Sequence, residues 1–346
     1  MSAGPHPLRG TLEALVEARS LSEAEAHKLL IALTDEALAP ALAGALLAAL
    51  RAKGVTADEL RGFARGMRAL ARRPRLPDVG PTLDIVGTGG DSSHTFNLST
   101  GTALLAVAAG AKVTKHGNRS ISSRSGSADL LEALGLAVPL DERAAGECLA
   151  ATGFTFLFAP HYHPAMKAIA PVRAALGIRT VFNMLGPLTN PAEPPFHLIG
   201  AFSRDAARLM AETLAGLPIR RAFVVHGEPG WDEPTPAGPF LLYDVRPGEW
   251  HESTRGAADY GLPSCRPEDL KGGDATHNAT ALRDVFAGRD RGPHRDALVM
   301  GAALALEVAG LAPDARAGAR RAAAAIDSGA AAGVVAALAA FSGSRP

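Results

Sequence analysis

The feature that most constrains the fold of this chain is the glycine-rich segment Gly87-Thr88-Gly89-Gly90-Asp91, which directly follows the apolar stretch Leu83-Asp84-Ile85-Val86. A short apolar stretch that ends in glycine predicts a buried strand followed by a tight turn. Such a turn before a helix can direct several backbone N–H groups at one anion. The spacing matches neither the Walker A motif nor a dinucleotide-binding GxGxxG motif. A structural turn and an anion site both remain compatible with this segment alone.

Hydroxyl side chains follow this loop at Thr95, Ser99 and Thr100. They can donate hydrogen bonds to phosphate oxygens, and Ser99 can also act as an oxygen ligand of a metal ion. A second polar loop begins at Lys115, after a strand predicted over residues 111–114, and continues to Ser127. It mixes three cations with serines, glycines and an asparagine, whereas a solvated charge run rarely has that composition. Because parallel strands present their carboxyl ends at one sheet edge, the two loops together predict a site for a ligand with more than one phosphate.

Three further groups are candidates for chemistry. Asp232 and Glu233 are adjacent carboxylates after a strand predicted over residues 223–225, and they suit either Mg²⁺ or a solvated acidic pair. The polyphosphate site favours the metal. His161 and His163 could form a metal pair, but no third ligand is near, so a shaped loop is favoured. Arg173 suits a bidentate contact with a carboxylate, and a surface ion pair is the open alternative.

The order of the elements predicts two domains. Residues 8–73 read as helices, with capping boxes at Ser22/Glu25 and Thr56/Glu59, and with a break near Pro40. The prolines and glycines from Pro74 onward mark a change in composition, after which strands and helices alternate. Alternation of this kind predicts an α/β domain with a mostly parallel sheet flanked by helices. The predicted boundaries are 1–75 for a small all-helical domain and 80–346 for the α/β domain.

Within the α/β domain, the residue pattern also assigns individual elements. Helices are predicted at residues 100–109, 128–134, 204–214, 297–309 and 320–340. Irregular, loop-rich structure is predicted at residues 230–248 and 260–271.

Charge and cysteine content narrow the classes of function. The 346 residues include 35 Lys plus Arg and 35 Asp plus Glu, so the net charge is zero. A nucleic-acid or membrane-surface protein carries an excess of basic charge, and we therefore predict no partner of either kind. Cys148 and Cys265 are far apart and form no disulfide framework, which suits the reducing cytoplasm. The longest stretch without polar side chains, between Glu36 and Arg51, is too short to span a bilayer.

Several long motifs, in order and with consistent spacing, resemble the anthranilate phosphoribosyltransferase family. They are GTGGD from Gly87, TFNLST from Thr95, KHGNR from Lys115, SGSADLLEALG from Ser125, FAPHYHPAMK from Phe158, VRAALGIRTVFNMLGPLTNPA from Val172, and the Asp232-Glu233 pair. The resemblance implies transfer of phosphoribose from 5-phosphoribosyl-1-pyrophosphate to the amino group of anthranilate, an early step of tryptophan synthesis. It also implies a nucleoside phosphorylase/phosphoribosyltransferase-like fold, in which a segment near 171–190 joins the helical domain, and a homodimer formed through that domain.

The resemblance assigns roles residue by residue. It implies that phosphoribosyl pyrophosphate contacts Gly87, Gly90, Asp91, Thr95, Asn97, Leu98, Ser99, Thr100, Lys115, His116, Gly117, Asn118, Arg119, Ser120, Ile121, Ser122, Ser123 and Ser127. It implies that anthranilate contacts Gly87, Asn118 and Arg173. Two Mg²⁺ ions per subunit are implied, with Ser99, Asp232 and Glu233 as protein ligands. No residue is assigned as a general base, because the amine of anthranilate is a neutral nucleophile and the difficult step is departure of pyrophosphate.

The sequence departs from the family pattern at a few positions. Ser92 replaces a usual glycine, Pro234 and Pro236 follow the acidic pair, and His277 replaces a usual glutamate. Two other functions fit these residues less well. A pyrimidine-nucleoside phosphorylase has no need of an arginine for a carboxylate, and an inert nucleic-acid-binding relative would have a basic surface and lack the metal ligands.

Overall fold

The computed structural model describes residues 7–90, 95–120, 124–228 and 230–344. The chain begins with four helices: α1 Arg9–Val16, α2 Glu23–Leu33, α3 Pro40–Lys53 and α4 Ala57–Leu70. Both predicted capping boxes are present, at Ser22/Glu25 and at Thr56/Glu59. The predicted break near Pro40 is a helix start, because proline has no N–H to lose and its fixed φ suits the first helical position.

The α/β part contains a seven-stranded sheet within the described residues. Its strands are β1 Leu83–Gly87, β2 Val113–Gly117, β3 Phe154–Phe158, β4 Phe196–Gly200, β5 Arg221–Gly227, β6 Phe240–Arg246 and β7 Glu249–Arg255. Their spatial order is β3-β2-β1-β4-β5-β6-β7. Neighbours from β3 through β5 are parallel, and the β5–β6 and β6–β7 pairs are antiparallel. The predicted mostly parallel sheet is confirmed.

Helices flank this sheet. They are α5 Leu98–Ala108, α6 Ser127–Ala133, α7 Glu142–Thr152, α8 Ala159–Tyr162, α9 Met166–Leu176, α10 Phe182–Leu185, α11 Arg204–Ala215, α12 Ala275–Phe286, α13 Pro293–Val308, α14 Ala315–Asp327 and α15 Ala330–Gly343. Two predictions about elements were wrong. Residues 230–248 contain β6, whose side chains are mostly buried on both faces, so the alternation that marks a strand is lost. The helix predicted over 320–340 is divided at Gly329, which adopts a left-handed φ of 80°.

The two faces of the sheet bury separate cores. Leu83 and Ile85 point to a core that includes α5 and α13, whereas Val86 and Ile199 point to a second core. The second core is shared with the N-terminal helices, with α11 and with apolar residues of α9 and α10. In this core α9 packs on α3, and α10 packs on α4. The segment that carries α9 and α10 therefore lies between the helical bundle and the sheet.

No single helix in the described ranges is long and apolar enough to cross a bilayer, although α14 and α15 together pass on composition while meeting at an angle of 63°.

Candidate active site

The site is positioned by the order of the strands. From β1 the chain passes to β2 and β3 on one side, and it then returns to β4 on the other side of β1. The loops after β1 and β4 consequently leave the sheet in different directions, and the space between them is the usual ligand position in open α/β sheets. We call this space the β1/β4 crevice. Thr88 joins its two walls, since its N–H donates to the Gly200 carbonyl (3.0 Å) and its hydroxyl accepts from the Phe202 N–H (3.0 Å).

The loop after β1 is held against the acidic pair. Gly89 and Gly90 both have left-handed φ angles, 68° and 73°. The Gly89 N–H donates to Oδ2 of Asp232 over 2.6 Å. Asp91, which the resemblance assigns to this loop, and Ser92 lie outside the described residues. The described part of the loop confirms that glycine is used here for its backbone conformation.

Glycines at the ends of three strands let the acidic pair approach. A Cβ at Gly87 would overlap the Asp232 carboxylate, and a Cβ at Gly200 or Gly227 would overlap the backbone of the acidic pair. Asp232 is only 7% exposed as a result. Glu233 accepts a hydrogen bond from the Ser99 N–H (3.2 Å), in the first turn of α5. The structure thus brings the three predicted metal ligands together at the carboxyl end of the sheet.

Lys115 is a buried cation beside these carboxylates. Its ammonium donates to the Ser99 hydroxyl (3.3 Å) and to the Ile85 carbonyl. Burial lowers the pKa of Lys115, while the negative charges of Asp84, Glu233 and Asp232 oppose that shift. Lysine at this position places a positive charge next to the site without exposing it to bulk water.

Asp84 contacts the end of β2, where the loop that follows Lys115 begins. It is fully buried, and burial raises its pKa to about 6. Strands β1 and β2 are paired, and Leu83 lies opposite Val113. The Asp84 carboxylate of β1 accepts a hydrogen bond from the His116 N–H of β2 (3.1 Å). This bond and that of Lys115 to Ile85 connect the two strands where their loops begin to separate.

His116 and His163 are buried, and burial keeps both rings neutral. Nδ1 of His116 lies 3.0 Å from the Gly186 carbonyl, and burial lowers the pKa of His116 to about 3. The His163 ring packs at 5.0 Å against it, edge to face, and burial lowers the pKa of His163 to about 4. His161 lies instead 3.3 Å from Glu142. Among the described residues there is no group of three His, Cys, Asp or Glu side chains that could hold a metal.

The remaining residues of the two loops have mainly local partners. The Asn97 amide donates to the Ser125 carbonyl (3.0 Å) and accepts from the Asn278 amide (2.8 Å). Thr95 bridges to Lys271, Leu98 and Thr100 are buried in α5, Gly117 ends β2, and Ser127 begins α6. Ile121, Ser122 and Ser123 lie outside the described residues.

The guanidinium of Arg119 is held by α6 and lies 5.7 Å from the centre of the Phe158 ring, at the end of β3. It forms ion pairs with Asp129 (3.0 Å) and Glu132 (2.5 Å) on α6. Asp129 also accepts from the Ser120 N–H (3.1 Å), and the Asn118 side chain accepts from the Arg119 N–H (2.7 Å). In this arrangement Arg119 anchors the loop to α6.

Arg173 lies in α9 with its guanidinium 5.2 Å from the centre of the Phe182 ring. Burial lowers its pKa. Within the part of the chain that the structure describes, Arg173 forms no ion pair. A partly buried guanidinium without a protein carboxylate is available to an anionic ligand.

Sequence reasoning assigned no individual role to three residues that build the site: Thr88, Asn278 and Arg179. Arg179 donates a hydrogen bond to the Gly90 carbonyl and lies 4.2 Å from the centre of the Phe202 ring. Its only signal in the sequence is its place in the long motif that also contains Arg173.

The departures from the family pattern have structural positions of their own. Pro234 and Pro236 are buried beyond Glu233. His277 is exposed in the first turn of α12, where its N–H donates to the capping Asp274 carboxylate over 2.8 Å.

Family models match most of the chain. Residues 9–71 match the helical bundle domain of a glycosyl transferase family, and residues 79–332 match its a/b domain. An anthranilate phosphoribosyltransferase of Solibacter usitatus is 49% identical, with 100% of both chains covered. That of Rubrobacter xylanophilus is 46% identical over 94% of each chain.

Solved structures of anthranilate phosphoribosyltransferases are also similar to this chain. Anthranilate phosphoribosyltransferase from Thermus thermophilus superposes with a TM-score of 0.90 at 41% identity, covering 96% of this chain and 99% of that one. The Saccharomyces cerevisiae enzyme in complex with PRPP and Mg superposes with a TM-score of 0.87 at 26% identity, covering 97% and 99%. The same yeast enzyme in complex with 4-fluoroanthranilate gives a TM-score of 0.86 at 25% identity, covering 98% of each chain.

Proposed function

The chain belongs to the anthranilate phosphoribosyltransferase family, and we propose that it carries out the family reaction at the β1/β4 crevice. It transfers the phosphoribosyl group of 5-phosphoribosyl-1-pyrophosphate to the amino group of anthranilate, in tryptophan biosynthesis. One observation supports this location of the active site: the Gly87–Gly90 loop, the start of α5, Lys115 and the acidic pair Asp232-Glu233 all meet there. Family membership replaces the two alternatives considered from sequence, the pyrimidine-nucleoside phosphorylase and the nucleic-acid-binding relative.

We assign the diphosphate and ribose phosphate to the loops after β1 and β2. Support comes from the N-terminus of α5 and from the buried ammonium of Lys115, since both favour negative charge. The further contacts implied by the resemblance, at Asp91 and Ile121–Ser123 among others, are retained as proposals.

The donor set fits magnesium, which the family reaction uses. Ser99, Asp232 and Glu233 offer hydroxyl and carboxylate oxygens within one contact network, and these hard ligands are the ones that Mg²⁺ prefers. So small a protein ligand set suits an ion that completes its coordination with water and substrate phosphates. We propose two ions per subunit. Magnesium would supply charge neutralisation on the departing pyrophosphate.

The acceptor is proposed to bind beside Arg173, with further contacts at Asn118 and Gly87. The guanidinium would hold the anthranilate carboxylate through paired hydrogen bonds, which fixes the direction of the amine. His116 and His163 are neutral at physiological pH because of burial, so they add no charge next to a developing cation on the ribose. The protein's contribution is thus to align the amine and to stabilise charge on the leaving group, and we name no general base.

Domain division and assembly are also proposals. We infer a helical domain over 1–75 and a catalytic domain over 80–346, with α9 and α10 packed on the helical side. We propose a homodimer through the helical domain, which would cover the exposed apolar side chains of Val16 (71%) and Ile31 (38%). Sedimentation of the wild type and of Val16→Lys tests the homodimer: a wild-type monomer contradicts it. Cytoplasmic location and the lack of nucleic-acid or membrane partners remain predictions from composition.

One experiment tests the function and its metal together. Loss of anthranilate fluorescence is followed with phosphoribosyl pyrophosphate over a series of Mg²⁺ concentrations. We expect turnover that requires Mg²⁺ in the wild type, and turnover at least about a hundredfold slower in Asp232→Asn, since a bridging cation contributes several kcal/mol. Asp205→Asn, an exposed aspartate at the start of α11, is the control and should behave as the wild type. No turnover in the wild type would overturn the function, and full activity of Asp232→Asn would overturn the metal assignment.

A further inference from the structure

Arg179 connects the two walls of the β1/β4 crevice. It lies in the connection between α9 and α10, and its guanidinium donates to the carbonyl of Gly90, in the wall that follows β1. The same guanidinium lies over the Phe202 ring, 4.2 Å from its centre. Phe202 belongs to the opposite wall, which follows β4. One side chain from a third segment therefore contacts both loops that define the crevice.

The hydrogen bond from Arg179 to the Gly90 carbonyl acts on a two-glycine turn, Gly89–Gly90, which has little conformational preference of its own. Gly89 and Gly90 both adopt left-handed φ angles, and glycine reaches many other conformations at similar energy. One end of this turn is held by the bond from the Gly89 N–H to Asp232 (2.6 Å). The bond from Arg179 holds the other end, at the Gly90 carbonyl. A turn fixed at both ends presents its remaining groups in one arrangement.

The Phe202 ring explains why arginine suits this position. A planar guanidinium can stack on an aromatic ring and donate a hydrogen bond in its own plane at the same time, whereas an ammonium cannot combine the two in this way. Arg179 is exposed to solvent, and the ring limits the positions that its long side chain can adopt. Stacking thus reduces the conformational entropy lost when the bond to Gly90 forms.

We propose that Arg179 is a positioning residue that holds the Gly89–Gly90 turn in the shape that receives the diphosphate of the donor substrate. The proposal rests on the assignment of the diphosphate to this loop. Arg179 and Arg173 lie on the same segment, so a segment packed against the helical bundle contributes to both substrates. Arg173 would bind the acceptor, and Arg179 would prepare the donor site.

The test compares Arg179→Ala, Arg179→Lys, Phe202→Leu and the double variant of Arg179→Ala with Phe202→Leu. Donor affinity is measured by calorimetric titration with phosphoribosyl pyrophosphate and Mg²⁺, alongside KM for each substrate, kcat and Tm. A hydrogen bond to a charged group contributes about 1.5 kcal/mol or more, so Arg179→Ala should raise the Kd of the donor roughly tenfold. Phe202→Leu should raise it about threefold, which corresponds to the loss of an exposed cation–π contact. KM for anthranilate should change little in all variants, and Tm should change little in Arg179→Ala and Arg179→Lys.

The double variant identifies the mechanism. If the ring acts through the guanidinium, the double variant binds the donor no more weakly than Arg179→Ala, and the two effects are not additive. Arg208→Ala is the matched control, because Arg208 is also an exposed arginine over an aromatic ring, 5.8 Å from the centre of Trp250. It should leave the donor Kd unchanged.

Two results would overturn the proposal. The first is a wild-type donor Kd in Arg179→Ala. The second is wild-type affinity in both Phe202→Leu and Arg179→Lys, because the positive charge alone would then account for any effect of Arg179→Ala. Failure of the wild type to bind the donor at all would instead overturn the assignment of the loop, and the titration of the wild type is therefore done first.

Discussion

Gly90 illustrates what a single residue contributes to this site. Its φ of 73° is left-handed, and the described heavy atom nearest to a Cβ built there is Nη2 of Arg179, at 3.6 Å. That is an ordinary contact, so the protein has room for a side chain. The cost of a substitution comes from the backbone angle.

We predict that Gly90→Val weakens binding of phosphoribosyl pyrophosphate about fivefold to thirtyfold, since a left-handed conformation costs roughly 1–2 kcal/mol for such a residue. Gly90→Asn should lose much less, because asparagine tolerates this conformation. Tm should change little in either variant, since the residue is exposed in a loop. Calorimetric titration in Mg²⁺ provides the measurement. Equal losses in the two variants would indicate that side-chain volume, and not φ, is responsible.

Arg173 gives the second prediction at this scale. Removing a charge-assisted bidentate contact costs about 1.5–3 kcal/mol, so Arg173→Ala should raise KM for anthranilate roughly tenfold to a hundredfold. KM for phosphoribosyl pyrophosphate should stay within about twofold of the wild type, a change of less than about 0.5 kcal/mol. Arg173→Lys keeps the charge but not the paired donors of the guanidinium, so its KM for anthranilate should lie between those of the wild type and Arg173→Ala. An effect confined to the phosphorylated substrate would move Arg173 to the donor site.

At the scale of elements, the two capping boxes look alike in the sequence and differ in the fold. The Glu59 carboxylate is buried, and it accepts from the Leu21 N–H (2.8 Å), the Thr56 N–H (2.9 Å) and the Lys53 ammonium (2.9 Å). It thereby joins α4 to the start of α2 and the end of α3. The Glu25 carboxylate is exposed and caps α2 alone, through the Ser22 N–H at 2.8 Å.

This difference predicts different stabilities for matched variants. Glu59→Gln leaves the buried ammonium of Lys53 without its counter-charge, and we expect the free energy of unfolding to fall by about 3–5 kcal/mol. Glu25→Gln should lower it by less than about 1 kcal/mol. Urea denaturation of both variants tests this. Similar losses would mean that burial of the Lys53–Glu59 pair adds nothing to ordinary capping.

For the whole molecule, buried histidines determine how stability responds to acid. Burial lowers the pKa of His116 and of His197 to about 3, and that of His163 to about 4. An unfolded chain binds these protons near pH 6.5, so as pH falls from there toward 4 the unfolded state is favoured. Each histidine then contributes a loss of up to about 1.4 kcal/mol per pH unit. Asp84 has the opposite sign: its pKa is raised to about 6, so the folded state gains protons first as pH falls from 6 toward 4.

Three histidines outweigh one aspartate, and we predict that the free energy of unfolding falls between pH 6.5 and pH 5. Denaturant titrations at several pH values measure the slope. His197→Gln should reduce the slope by about 1.4 kcal/mol per pH unit near pH 5, because one of the three groups is gone. His251→Gln, on the exposed strand β7, should leave it unchanged. A slope that His197→Gln does not alter would contradict this account.

Local patterns in the sequence determined much of this protein. Apolar stretches that end in glycine indicated strands such as β1 and the loops after them, and Ser/Thr-x-x-Glu spacing located the starts of α2 and α4. Such patterns are readable because they reflect backbone conformation and hydrogen bonds between residues a few positions apart. The long motifs identified the family for the same reason, since their order and spacing lie in the chain itself.

Only the tertiary structure decided which distant groups meet. The sequence predicts that the loops of Ser99 and Lys115 lie at one sheet edge, but it does not indicate that the Lys115 ammonium is buried against the Ser99 hydroxyl. Nothing around Arg119 indicates that its charge is paired with α6. The contact of Arg179 with Gly90 joins residues far apart in the chain, across a crevice that exists only because β4 lies beside β1. The physical reason is that packing of the whole sheet sets these distances and burials. The sequence names the residues that carry the chemistry, whereas the fold determines which of them act on the same ligand.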